Sequence, residues 1–148
     1  MEIITAETAD CRLVAGFVAA LLEELSGGER YDPNDLLEIT ADLLAREEVV
    51  GLLSYEGDQP LGLMMLNQCA AIYAGGLFGE ITELYVVPDQ RSKGVAQKLL
   101  LAARDLGRAR GWKRLEVGAP NQPQWQRSLQ FYQREGFLLT GPRLRQLL

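Results

Sequence analysis

Residues 80–118 constrain the fold more than any other part of the chain. A strand-like run, residues 80–87, is stopped by Pro88-Asp89, because proline cannot donate to a strand ladder. A polar loop then leads into residues 94–110. There Val95, Leu99, Ala102, Ala103 and Leu106 form an apolar stripe at helical spacing, with Lys98, Arg104 and Asp105 mostly outside it. Gly111 supplies a helix stop, and residues 112–118 read as a further strand. A strand–helix–strand unit lays its helix on the face of a sheet, so this chain needs a sheet with helical cover.

The flanking segments extend that unit. Residues 2–5 read as a short first strand. Residues 9–26 read as a helix with Val14, Phe17, Val18, Leu21, Leu22 and Leu25 on one face, ended by Gly27-Gly28. Asp32-Pro33-Asn34-Asp35 has the order of a helix start: Asp32 as cap, Pro33 in the first position, acid in the first turn. That second helix is expected to reach about Arg46. Residues 49–55 and 61–68 are strand-like runs joined by a turn-rich link of hairpin length. Residues 70–79 suggest a bend, since Gly75, Gly76 and Gly79 all fall there. Residues 119–123 read as a loop and 124–135 as a helix stopped by Gly136. Residues 137–140 and 143–147 read as two last strands around Gly141-Pro142. The prediction is one α/β domain over residues 1–148, with a mixed sheet of about seven strands and about four flanking helices.

Composition narrows the chemistry. The chain has 148 residues and no histidine, which removes Ser-His-Asp and Cys-His catalysis in their usual forms. Two cysteines, Cys11 and Cys69, cannot close a zinc site alone, so no metal is expected. Each sits in an apolar run and reads as a reduced thiol. The net charge of −5 disfavours a nucleic-acid partner and mildly favours cationic ones. No apolar run approaches the ~20 residues of a membrane span, and Met1-Glu2-Ile3-Ile4 carries acid where an export signal carries base. A cytoplasmic protein without a membrane partner is predicted.

The chemistry concentrates where the strand at 80–87 meets the helix at 94–110. The first turn of a helix has unpaired N–H groups and partial positive charge. Gly94 and Ala96 leave room there, and Arg91 and Lys93 add cations. Such a turn can cradle a diphosphate through amides near Ser92, Lys93, Gly94, Val95 and Ala96. The segment has neither the ending of a Walker loop nor the spaced glycines of a dinucleotide fingerprint.

Arg91-Ser92-Lys93-Gly94-Val95-Ala96 resembles the Arg/Gln-x-x-Gly-x-Gly/Ala acyl-CoA motif of the GNAT (Gcn5-related N-acetyltransferase) family. Glu83-Leu84-Tyr85-Val86-Val87-Pro88 looks like that family's fourth strand. Phe131-Tyr132-Gln133-Arg134-Glu135-Gly136-Phe137 resembles its Phe-Tyr-x-x-x-Gly-Phe helix end. The resemblance covers residues 49–137 well and the first two helices by position only. It implies a mostly antiparallel sheet splayed between the fourth and fifth strands, and an acetyl-CoA-dependent transfer to a primary amine of a small molecule or a peptide N-terminus. A binding-only acyl-CoA module is the alternative. A bacterial source and a homodimer are compatible with the resemblance.

By the same resemblance, the fourth strand carries a bulge near residues 85–87. Leu84, Tyr85 and Val86 would pair with pantetheine, and an N–H around Val86 would face the acetyl oxygen. Tyr132 matches the family's general acid and would touch the cofactor. For the base, Glu83 is the first choice, Glu116 the second and Glu80 the third. Regular alternation would put Glu80 and Glu83 on opposite faces unless a bulge intervenes. Tyr31, Asp32, Trp125 and Arg127 are the expected acceptor-side residues. Asp32 also has its plain reading as a helix cap, and Trp125 as a core residue. The stretch Pro120-Asn121-Gln122-Pro123-Gln124-Trp125 is longer than the compact Asn-x-x-Ala link common in the family.

Overall fold

The computed structural model describes residues 1–119 and 125–148. Its strands are β1 (Glu2–Thr5), β2 (Val49–Glu56), β3 (Gln59–Ala71), β4 (Gly76–Val86) and β5 (Leu115–Val117). Its helices are α1 (Cys11–Leu25), α2 (Leu37–Leu44), α3 (Val95–Arg110) and α4 (Gln126–Arg134). The sheet runs β1-β2-β3-β4-β5 in sequence order. The first four strands are mutually antiparallel and β5 joins β4 in parallel. Parallel neighbours need a crossover, and α3 provides it.

Local chemistry sets the helix ends. Asp32 accepts from the Asn34 N–H at 2.9 Å, as expected, but Pro33–Leu36 forms a 3-10 turn before α2 begins. The α1 helix stops at Gly27 and Gly28, with φ of 80° and 115°, so the chain turns away just after Glu23 and Glu24. The loop predicted at 119–123 and the helix start predicted at Gln124 lie almost wholly outside the described residues.

Side-chain alternation along β2, β3 and β4 divides the core between the two sheet faces. Leu52, Met64, Leu66 and Ile81 pack with Val95, Leu99, Leu100 and Ala103 of α3. Leu53, Leu63, Met65 and Tyr85 pack with Val14 and Phe17 of α1 and Leu44 of α2. Each fully buried leucine stabilises the fold by about 1.5–3 kcal/mol relative to exposure. Trp112 locks the start of β5: its indole donates to Gln68 Oε1 at 2.9 Å, and its ring lies where a Cβ on Gly79 would sit, only 2.2 Å away.

The sheet has five strands among the described residues, not the predicted seven. Residues 137–148 carry no strand. Their leucines (138, 139, 144, 147 and 148) are exposed, so the apolar pattern that suggested strands has no face to bury. A strand also needs a ladder to join, and β5 offers three residues. Arg143 fastens this segment instead, to Glu80 at 3.0 Å. Residues 70–79, expected as a bend, are mostly the facing ends of a long β3–β4 hairpin, with the turn at 72–75.

Candidate active site

The site begins with a change in how β4 is paired. On one side β3 accompanies it throughout, but with a register break: Leu66 opposes Ile81 and Met65 opposes Glu83, which leaves Thr82 as the extra residue of a β-bulge. On the other side β5 pairs only with Gly79, Glu80 and Ile81. Beyond Thr82 that edge is open, and Ile81, Glu83, Leu84, Tyr85 and Val86 face Val117, Gly118 and Ala119 across a cleft of about 870 Å³. The bulge therefore sits at Thr82 rather than at the expected residues 85–87, where pairing with Leu63 and Gly62 is regular. One consequence is that Glu80, opposite Asn67, and Glu83, opposite Met65, share a sheet face.

Alternation also decides which main-chain groups are available. The Val87 N–H bonds to the Leu61 carbonyl at 2.9 Å. Val87 and Tyr85 thus turn their polar groups toward β3, while Leu84 and Val86 turn theirs to the open edge. The Val86 carbonyl accepts from Arg91 Nε at 2.8 Å, which leaves its N–H facing the cleft.

The loop after β4 closes one end of the cleft. A 3-10 turn at Pro88–Gln90 is followed by left-handed backbone at Ser92 (φ 63°) and Gly94 (φ 87°), and α3 starts at Val95. A non-glycine residue in that region costs about 1–2 kcal/mol. The Ser92 hydroxyl accepts from Arg127 at 3.1 Å, a contact that ties α4 to the strained turn. Arg91, Ser92, Gly94, Val95 and Ala96 all line the cleft; Lys93 is exposed and does not. Arg91 is turned toward α1: it reaches Glu24 at 2.7 Å and lies 5.4 Å from the Tyr85 ring centre.

Burial raises three titratable groups of the cleft, Glu83, Tyr132 and Tyr85. Glu83 is half-buried, and desolvation raises its carboxyl above the usual 4.5, opposed only by a hydrogen bond from the Thr82 hydroxyl. Tyr132 is 6% exposed and packs edge-on against Phe131 and Phe137, with ring centres at 5.3 and 5.4 Å. Burial pushes its phenol up to about 12. Glu116 lies outside the cleft lining; it accepts from the Tyr73 hydroxyl at 3.1 Å and pairs with Arg114 at 3.7 Å. Glu80 is held by Arg143.

The sequence of residues 16–137 matches the model of the acetyltransferase (GNAT) family. The chain belongs to the GNAT family. GNAT acetyltransferases use acetyl-CoA and act on amine acceptors, and the open β4 edge beside an uncrowded α3 start fits such a cosubstrate. Solved structures share the GNAT fold along the whole chain. A ribosomal-protein-alanine N-acetyltransferase from Brucella melitensis biovar Abortus 2308 is 20% identical, with 99% of this chain and 98% of that one covered and a TM-score of 0.78. A predicted acetyltransferase from Clostridium acetobutylicum, solved with acetyl-CoA, is 18% identical, with 99% and 95% covered and a TM-score of 0.82. An aminoglycoside acetyltransferase from an uncultured soil metagenomic sample is 17% identical, with 99% and 97% covered and a TM-score of 0.80. No curated protein sequence matches the chain.

This GNAT cleft includes Trp125 and Arg127, while Tyr31 and Asp32 are not among its lining residues and Asp32 is spent as a cap. Sequence reading missed Leu21, Glu24 and Leu25 at the end of α1, together with Thr82 and Arg143. The apolar stripe of α1 marks only its buried face, so nothing local signals that its last turn borders a cleft. No helix among the described residues is long and apolar enough to cross a membrane.

Proposed function

We propose that this GNAT protein is an N-acetyltransferase that moves the acetyl group of acetyl-CoA onto a primary amine of a small molecule or a peptide N-terminus by direct attack. One observation carries the reading. Beyond Thr82 the free edge of β4, a half-buried carboxylate, a buried phenol and the first turn of α3 all border one cleft.

Bound acetyl-CoA supplies the thioester. Leu84 and Val86 offer main-chain groups to which a pantetheine arm can add as a strand. The amides near Ser92, Gly94, Val95 and Ala96 suit its diphosphate, and Arg127 adds a cation beside Ser92. The outward N–H of Val86 is the donor for charge developing on the acyl oxygen.

Glu83 is the preferred base. An amine attacks only when neutral, and a carboxyl raised by burial is better matched to take its proton than an ordinary one. Glu116 and Glu80 are less suited, since each already holds an arginine. Tyr132 at about 12 stays protonated but is a weaker acid than a thiol at about 8.5. It therefore serves the departing sulfur as a hydrogen-bond donor rather than by outright proton transfer. No observation favours the binding-only alternative. A cytoplasmic setting suits the two free cysteines.

Release of free thiol from acetyl-CoA across a panel of amines and peptides tests the reading. Amine-dependent release is expected; silence with every acceptor, despite acetyl-CoA binding by calorimetry, would overturn it.

A further inference from the structure

Beside the main cleft lies a second, shallow and widely open cavity, bordered by Ala20, Glu23, Glu24, Gly27, Gly28, Tyr85 and Trp125. Glu24, Tyr85 and Trp125 also border the main cleft, so the two spaces share a wall. The cavity exists because α1 ends there: the left-handed glycines 27 and 28 carry the chain away without side chains to fill the gap.

Its chemistry is that of a cation seat. The shared wall already holds one cation, since the Arg91 guanidinium lies 5.4 Å from the Tyr85 ring centre and 2.7 Å from the Glu24 carboxylate. A ring face and a carboxylate together favour such a group. That contact uses Glu24. Glu23 is half-buried and takes part in no ion pair among the described residues. It therefore leaves one carboxylate without an ion-pair partner in the lining of this space, whose Trp125 also borders the main cleft.

We infer that this cavity binds a second cationic group of the acceptor, so that the preferred substrates are amines carrying another positive charge a few bonds from the reacting nitrogen. The inference rests on the acetyltransfer reading and deepens it. The reacting nitrogen must shed its proton before attack, so its own charge cannot be the lasting handle. A second ammonium keeps its charge through the whole reaction, and Glu23 with Trp125 can hold it throughout. Two sources share this chemistry, a free diamine and a peptide N-terminus followed by a basic side chain.

The test compares 1,4-diaminobutane with butylamine, and a short peptide bearing lysine at its second position with the alanine version. Each is measured by thiol release and by calorimetry in the presence of coenzyme A, on the wild type and on Glu23→Gln. Expected is a preference of at least about 10-fold in kcat/KM for the dicationic member of a pair. In Glu23→Gln that preference should collapse through KM, with kcat nearly unchanged and acetyl-CoA affinity intact. The pair with the larger preference identifies the source. Equal use of mono- and dicationic acceptors, or equal losses for both in Glu23→Gln, would overturn the inference while leaving acetyltransfer standing. If no acceptor is turned over, calorimetry decides: Glu23-dependent diamine binding sustains the cavity assignment and removes the catalytic one, and absence of that binding removes both.

Discussion

The two halves of β4 have the same backbone conformation and different fates. Residues 79–81 are enclosed, with β3 on one edge, β5 on the other and Trp112 across Gly79. Residues 83–86 keep β3 but have no β5, and their outward polar groups meet a cleft. One extra residue, Thr82, separates them. A ladder that continued would satisfy every main-chain group and leave nothing to bind with. A ladder that stops turns the same strand into a recognition edge, while the enclosed half holds it in place.

The largest effect should come from the open half. Glu83→Gln is expected to lower kcat by about 10²–10⁴-fold, the usual worth of a positioned base. In the wild type, kcat/KM should rise with pH through a carboxyl lying above 4.5, the direction burial imposes, and the variant should lose that limb. Stability should respond oppositely. The folded carboxyl is raised, so its contribution is fully present below the unfolded value and is lost as pH rises through the folded one. Glu83→Gln should therefore be no less stable than wild type in urea at neutral pH. Turnover within a few-fold of wild type would move the base to a solvent chain.

Next comes the enclosed half. A methyl on Gly79 would meet the Trp112 ring at 2.2 and 2.3 Å and Leu115 at 3.0 Å. Gly79→Ala should cost about 1–3 kcal/mol by overpacking, read as a lower urea midpoint, while the folded protein keeps its acetyl-CoA affinity. An affinity loss larger than the stability loss would show that the two halves are not separable.

Tyr132→Phe should reduce kcat by roughly 10–100-fold, the range of a hydrogen bond to a charged partner at about 1.5–3 kcal/mol, with little change in melting temperature. Because the phenol titrates only at about 12, wild-type activity should show no alkaline loss attributable to it below that range. The smallest effect belongs to the bulge itself. Thr82→Val removes the hydroxyl that favours ionised Glu83, so the acid limb should move to higher pH, and Thr82→Ser should restore it. An unmoved limb in Thr82→Val would detach the bulge from the chemistry.

The sequence alone determined what neighbours in the chain decide. Apolar spacing in residues 94–110, the Asp32 cap, the glycine stops and the strand leading to Pro88 are set within a few residues, and with the Phe131-Tyr132 segment they carried the family resemblance. Only the tertiary structure decided the rest. The bulge at Thr82 depends on register against Met65 and Leu66. Arg91, expected to face phosphate, turns to a carboxylate 67 positions away. Glu116, expected near the reaction, is claimed by a tyrosine 43 positions away. The two strands expected over residues 137–140 and 143–147 have no ladder to join. Local propensity fixes backbone conformation. Partners distant along the chain fix hydrogen-bond register and charge pairing, and these decide which strand edges stay open and which carboxylates stay free.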